Sequence, residues 1–347
     1  MALHMTWRFW NAKESFHLFQ ELWDRGNSLG CNSILLDSLF VSLLIKYFGD
    51  SSIQLGVLGD KSLPSMILVR PSGKGLWETF QPSQAPLGLL ILGNSENPII
   101  QIKMLLKSLP HYALAIHISS QDSENSPLAI SNNSSLIERA DYMKTGRLTI
   151  SGNFEDYWDK RSKDLKGNID RRLRGLEKNQ IVIEFQRIQA KDKMGYCIQE
   201  FSRLEAKGWK GAAGSAISFE NSQGPFYQEV LEAYADTGEA MVFELRFNGE
   251  VVASQLALQR EQSLIFLKMT YDEDYKRFSP GYILRKFIIE QVYIEAEILN
   301  IEFYGHLREG WSEKWTNEFR PFFNLTLIRN YPIGLISKIR KFIKNNS

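Results

Sequence analysis

The stretch from Ala240 to Gly305 constrains this chain more than any other. It opens with three segments of strand pattern, 240–247, 250–259 and 263–270, the first two joined by Asn248-Gly249. Both turn residues tolerate positive φ, which makes this the strongest hairpin signal in the sequence. A turn over 271–278 leads into Ser279-Pro280-Gly281 and a helix to Glu297, with Ile283, Leu284, Phe287, Ile288 and Val292 on one face. Ser279 is expected to cap that helix, with Pro280 at its first position. A short strand, 300–304, follows. The first N–H groups of such a helix have no intrahelical partner and lie at the positive end of its dipole, and Gly281 lets a phosphate reach the backbone. Lys276 and Arg277 stand just before it. A capped helix with no ligand gives the same local pattern, so the residues alone leave both readings open.

The rest of the chain alternates in the same way. The periodicity predicts helices over 11–26, with Phe16, Phe19 and Trp23 in step, and over 35–47. Strands are predicted at 53–58, 65–69 and 87–92, a helix at 98–109, a strand at 112–118 and a polar loop at 119–135. Beyond these come a helical run over 155–178 interrupted near Gly167, a strand at 181–185, helices at 194–207 and 224–237, and a last strand at 322–329. The order implies an α/β (α+β) fold of two lobes, each a mixed central sheet flanked by helices. They span 1–145 and 150–332, with a basic amphipathic tail at 333–347. No exact repeat is visible, so the duplication rests on element order alone.

Composition narrows the function classes. At about 100–200 residues per domain, 347 residues suit two domains or one large one. Lys and Arg number 41 against 40 Asp and Glu, and a net charge of +1 argues against clamping a long nucleic acid. The basic run 160–178 is diluted by Asp159, Asp164, Asp170 and Glu177 and reads as a solvated helix face, with a carrier-protein or tRNA contact as the alternative. Cys31 and Cys197 are too few for a disulfide framework or a Cys-rich zinc site and fit a reducing, cytoplasmic setting. His4, His17, His111 and His117 show no metal-ligand spacing, so no metal is expected. Residues 1–10 lack an export-signal pattern, and the apolar run 34–45 is far short of the ~20 residues of a membrane span. The tail sets Lys338, Arg340, Lys341 and Lys344 among Ile336, Ile339, Phe342 and Ile343, which suits a docking helix or a peripheral membrane contact.

Strand, turn, helix over a pyrophosphate and second strand together resemble the acyl-CoA cradle of the GNAT acyltransferase superfamily. The chain resembles in particular the branch of CelD-like acetyltransferases and FemABX peptidyltransferases, built as tandem GNAT-like lobes. The matching pieces are LEAKGWKGAAGSAI (204–217), FNGEVVASQLAL (247–258), TYDEDYKRFSPGYIL (270–284), IEFYG (301–305) and KWTNEFRP (314–321), with PSQAPLG (82–88) in the first half. One departure is plain. Where the branch commonly has Tyr-Lys-x-x-Trp, this chain has Trp311-Ser312-Glu313-Lys314-Trp315, so a role of the Tyr-Lys pair does not carry over.

The resemblance implies an N-acyltransferase. It would move an acetyl or fatty acyl group from acyl-CoA, or an acyl carrier protein, to an amine on a peptide side chain, an amino sugar or a small molecule, without a metal. Lys268, Met269 or Thr270 would offer a backbone N–H to the thioester carbonyl, and Lys276, Arg277, Ser279, Gly281 and Tyr282 would hold the donor's phosphates. Two residues suit a general base. His306 follows the short strand, and imidazole titrates near about 6.5. Glu205 is a carboxylate that burial would tune. Each reads equally as structural, a surface histidine or a helix-face ion pair. Trp209 and Lys210 from one lobe, and Gln81, Ser83 and Gln84 from the other, are the candidate acceptor contacts. An aminoacyl-tRNA-dependent peptidyltransferase and a non-catalytic binding module remain the alternatives.

Overall fold

The computed structural model describes residues 6–59, 64–93, 97–129, 136–208, 214, 216–305 and 311–329. The chain divides into two compact units, one holding residues up to Lys144 together with those from Arg320 onward, the other Thr145–Phe319. The first holds β1 (Arg8–Asn11), α1 (Ala12–Ser15), α2 (Gln20–Leu29), α3 (Ser38–Phe48), β2 (Gln54–Leu58), β3 (Ser65–Gly73), β4 (Leu76–Thr79), β5 (Leu90–Ile91), α4 (Pro98–Ser108) and β6 (Ala115–Asp122). The chain leaves it within β7 (Ile137–Thr149). The second holds α5 (Phe154–Asp159), α6 (Lys163–Lys178), β8 (Ile183–Ile188), α7 (Lys191–Ala206), α8 (Gln223–Ala235), β9 (Ala240–Phe247), β10 (Glu250–Arg260), β11 (Ser263–Tyr271), α9 (Pro280–Glu295) and β12 (Asn300–Glu302). The last strand, β13 (Glu318–Ile328), belongs almost wholly to the first unit, not to the second lobe as the sequence order suggested. The tail 333–347 lies outside the described residues. Among the described residues, no helix is long and apolar enough to cross a membrane.

In the first unit the sheet runs β1-β2-β3-β4-β6-β13. Its pairs are antiparallel except β4 with β6, which run parallel from Leu76↔Ala115 to Glu78↔His117. Ile67, Val69, Ile116, Ile118 and Leu325 from the strands and Ile102 and Leu105 from α4 form its core. A buried ion pair, Arg320 to Asp122 at 3.3 Å, ties β13 to the end of β6. The helix expected over 11–26 is broken into α1, a 3-10 turn at Phe16–Leu18 and α2. Aromatic contacts account for the break: Phe16 packs edge-on against the fully buried Trp23, while Phe19 meets Trp10.

His117 gives this unit a pH dependence. Its Nδ1 lies 3.0 Å from Thr326 Oγ1. Burial pushes the imidazole below its usual 6.5, with Glu78 opposing. The folded unit favours the neutral ring, so between the two values the unfolded chain binds more protons. The stabilisation is therefore fully present above the unfolded value and is lost as pH falls through the folded one. Urea midpoints should drop between about pH 7.5 and about pH 5. The drop should be smaller in His117→Gln, and an equal drop in the variant would assign the effect to other groups.

In the second unit the sheet runs from the end of β7 through β12, β11, β10 and β9 to β8. Here β11 and β12 are the parallel pair. Each unit thus has a mixed sheet flanked by helices and one parallel pair bridged by a helical crossover. Asn248 (φ +51°) and Gly249 (φ +85°) turn the β9–β10 hairpin as expected. The run 155–178 breaks at 160–162 rather than at Gly167, because the Ser162 hydroxyl accepts the Leu165 N–H (3.1 Å) and starts a new helix. Ile283, Leu284, Ile288, Ile289 and Val292 of α9 are buried with Phe243, Leu245, Val252 and Phe266 of the sheet. Each such side chain contributes about 1.5–3 kcal/mol by leaving water.

Candidate active site

Two neighbouring strands of the second unit part, and the opening is the site. β11 and β12 pair from Ser263↔Asn300 to Ile265↔Glu302 and no further. Two local causes separate them. The Phe303 N–H turns to the Gly146 carbonyl (3.1 Å), on the far side from β11. On β11 itself the register against β10 slips between Leu256↔Lys268 and Ala257↔Phe266, leaving Leu267 as the extra residue of a bulge that bends the strand.

A pocket of about 530 Å³ occupies the opening. Met269, Thr270 and Tyr271 of β11 and Phe303 and Gly305 beyond β12 form its sides. Ser279, Gly281, Tyr282 and Arg285 come from the start of α9 and the residue before it, and Leu204, Glu205 and Gly208 come from the end of α7. Glu273, Lys276, Trp311 and Ser312 complete it. The Asp272 N–H donates to Val252 of β10 (2.8 Å). Alternation along the strand then turns the Thr270 N–H the same way and the Met269 and Tyr271 N–H groups toward the opening.

The helix start differs from the expected cap. Ser279 adopts a left-handed conformation (φ +52°, ψ +54°), and its side chain caps nothing. Its carbonyl instead accepts the N–H groups of Tyr282 (3.0 Å) and Ile283 (3.3 Å). Pro280 has no N–H, so Gly281 supplies the remaining first-turn donor, and it lines the pocket. A Cβ at Gly281 would stand 3.3 Å from Met269 Cε, filling the approach. The loop before the helix is clamped to the end of α7: Lys207 Nζ reaches Asp272 (2.9 Å) and Asp274 (2.8 Å), which raise its pKa.

Two groups inside the pocket are buried and charged in type. Glu205 is 2% exposed, and its Oε2 accepts the Ile217 N–H at 2.7 Å. Arg285 is 4% exposed. Its Nη2 donates to Gln255 Oε1 (2.9 Å), and its guanidinium lies 4.1 Å from the Phe266 ring centre and 5.1 Å from that of Phe303. Burial pulls its pKa down to about 9, so it remains a cation at neutral pH.

An acyltransferase family matches this region: the Acetyltransferase (GNAT) domain covers residues 163–308. The second unit contains a GNAT domain. Solved structures share the fold over nearly the whole chain. A C-terminal domain from a protein described as a lysylphosphatidylglycerol synthetase of Agrobacterium fabrum is 13% identical, with a TM-score of 0.59 covering 95% of this chain and 97% of that one. FemX is 10% identical, with a TM-score of 0.53 over 91% and 98%. L-PGS from Bacillus licheniformis is 13% identical, with a TM-score of 0.52 over 91% and 94%. No curated protein matches the chain in sequence.

The GNAT unit gathers Glu205, Met269, Thr270, Lys276, Ser279, Gly281 and Tyr282 around the one pocket. Two expected donor residues do not line it. The Lys268 ammonium bonds Gln223 Oε1 (3.0 Å) and rides over the Tyr227 ring. The exposed Arg277 stacks on Phe278 at 4.6 Å. Glu302 is held by Arg147 at 2.9 Å. His306, Trp209 and Lys210 lie outside the described residues. Gln81, Ser83 and Gln84 belong to the other unit, where Gln81 donates to the carbonyls of Ala85 and Leu87 and lines a separate pocket of about 240 Å³. Ser83 is exposed and Gln84 half-buried, and neither lines that pocket. Arg285 was missed. Its signal was a cation four residues after Gly281, on the stripe that continues to Ile288 and Ile289.

Proposed function

We propose that the GNAT unit catalyses N-acyl transfer from a thioester, with acyl-CoA as co-substrate, to an amine. The observation that carries this reading is the pocket between the parted strands, with the Met269 N–H facing it and the start of α9 lining it. The Gly281 N–H and Lys276 receive the donor's phosphates, and the Met269 N–H donates to the thioester carbonyl as negative charge develops there. The acceptor nitrogen attacks the carbonyl carbon. The C–N bond forms, the C–S bond breaks, the amine proton passes to Glu205, and the departing thiolate takes a proton from water. The acceptor is an amine of a peptide side chain, an amino sugar or a small molecule, in a cytoplasmic setting.

Calorimetry with CoA tests the donor half. Lys276→Ala should weaken binding about tenfold, the weight of one hydrogen bond to a charged group. Gly281→Val should weaken it at least as much by filling the backbone approach. Arg277→Ala should leave it nearly unchanged, since that guanidinium lies on Phe278. Unchanged affinity in both Lys276→Ala and Gly281→Val would remove the phosphates from this helix start. A second reading, aminoacyl transfer from tRNA, is favoured by the fold shared with FemX and L-PGS and by the cations of α6. Absence of CoA binding in the parent protein would support it.

A further inference from the structure

Arg285 is an unusual residue to find lining a pocket between strands. Its guanidinium stacks on Phe266, the first β11 residue beyond the pairing with β12, and on Phe303, the first residue past β12. It therefore sits at the apex where the strands begin to part. Nη2 is used, by Gln255 Oε1 and, at 3.7 Å, by Met269 Sδ. Nε and Nη1 are buried without a hydrogen-bond partner. Among the described residues, no carboxylate lies within 4.0 Å of the guanidinium to form an ion pair. Two ring faces compensate a buried cation only in part, and leaving such a charge without an anion costs more than they return. A fold keeps such a group at little cost only if something that enters the pocket completes it.

We propose that the acyl group transferred by this enzyme ends in a carboxylate, and that Arg285 receives that carboxylate at the apex of the pocket. The inference rests on the acyl-thioester reading above and narrows it to short dicarboxylic acyl donors. The direction of the donor supports the assignment. With its phosphates at Gly281 and its carbonyl at Met269, the acyl chain points along β11 toward Phe266. From Met269 to Phe266 is about 10 Å of extended strand, less the bulge, and the arginine spans part of it, so only a short acyl group fits. A carboxylate is the natural partner of a guanidinium's N–H donors, and Nε and Nη1 are the donors left for it. The same cation disfavours a fatty tail, which would be driven against a charge it cannot pair. The carboxylate has one other conceivable source, the acceptor, which would approach the carbonyl from the opposite face rather than lie beyond it.

Calorimetry and thiol release with CoA, butyryl-CoA, succinyl-CoA and octanoyl-CoA separate the possibilities. Succinyl-CoA should bind at least tenfold more tightly than butyryl-CoA, and octanoyl-CoA more weakly than either. In Arg285→Met, which keeps the bulk, the succinyl preference should vanish while CoA binds as in the parent. Arg285→Lys should retain part of it. CoA binding in the parent with no succinyl preference overturns this proposal alone. Failure of the parent to bind CoA overturns the donor reading and this proposal with it. If free succinate competes with an amine acceptor but not with acyl-CoA, the carboxylate belongs to the acceptor and the proposal is wrong. The parent's own panel decides the matter even if Arg285→Met does not fold.

Discussion

Trp315→Ala is expected to destabilise the GNAT unit by about 3–5 kcal/mol, the cost of removing a large aromatic from a core that cannot close behind it. Trp315 is fully buried and belongs to the main cluster of that unit. Its ring lies 5.9 Å from Tyr282, 6.4 Å from Trp158 and 6.5 Å from Trp311. Aromatic pairs in such arrangements add about 0.5–1.5 kcal/mol beyond their buried area. Its carbonyl accepts the Tyr157 hydroxyl at 2.9 Å, which pins the backbone and stops the site from collapsing into the cavity. The change should also reach the pocket, because Tyr282 and Trp311 line it and both lean on the indole. Urea unfolding reads the first effect, and CoA affinity at low temperature reads the second. Trp315→Phe should lose much less of both. A loss below about 1 kcal/mol in the alanine variant would mean that the aromatic cluster repacks freely.

How much of this was legible in the residues depended on how local the cause was. The hairpin at Asn248-Gly249, the three strands around it and the helix from Pro280 follow from neighbouring residues, and the structure has them within a residue or two. The parting of β11 and β12 does not. It needs the bulge at Leu267 and the turn of Phe303 toward Gly146, both set by strands distant in sequence. The bulge also reverses the side-chain parity of β11. Sequence reasoning left Lys268, Met269 and Thr270 equivalent for that reason, whereas the strand turns only the Met269 N–H of the three into the opening.

Ser279 shows a different limit. Ser-Pro-Gly reads as an N-cap, which would hold Ser279 in extended backbone, but here it takes a left-handed conformation at some cost in strain and its side chain caps nothing. The destination of the last strand was hidden by distance. Its pairing runs from Phe322↔Asp122 to Ile328↔Ala115, a register that no local pattern encodes. The short strand Leu76–Thr79 escaped notice because four residues carry too little periodicity to announce a strand.

Glu205→Gln is the variant expected to cost most in turnover, about 10²–10⁴-fold, the usual weight of a general base. The substitution separates the architectural role of this carboxylate from the chemical one proposed for it. One role is architectural: Oε2 accepts the Ile217 N–H at 2.7 Å, holding the chain that follows α7 against the pocket. A glutamine has the same shape and still offers a carbonyl oxygen to that N–H, so the fold and the CoA affinity should stand. The second role is chemical. Glu205 lines the pocket together with Met269 and Thr270, beside the strand proposed to bind the thioester carbonyl. An amide cannot take the proton of an attacking amine, so kcat should fall while donor affinity does not. Glu205→Ala should behave differently, since it leaves a buried N–H without its acceptor and so loses about 1–3 kcal/mol of stability as well. Thermal melting and single-turnover thiol release on both variants read the two effects apart, with His306→Ala measured alongside as the other residue that suits a base. If Glu205→Gln turns over within tenfold of the parent, the carboxylate only positions the loop and the proton goes elsewhere.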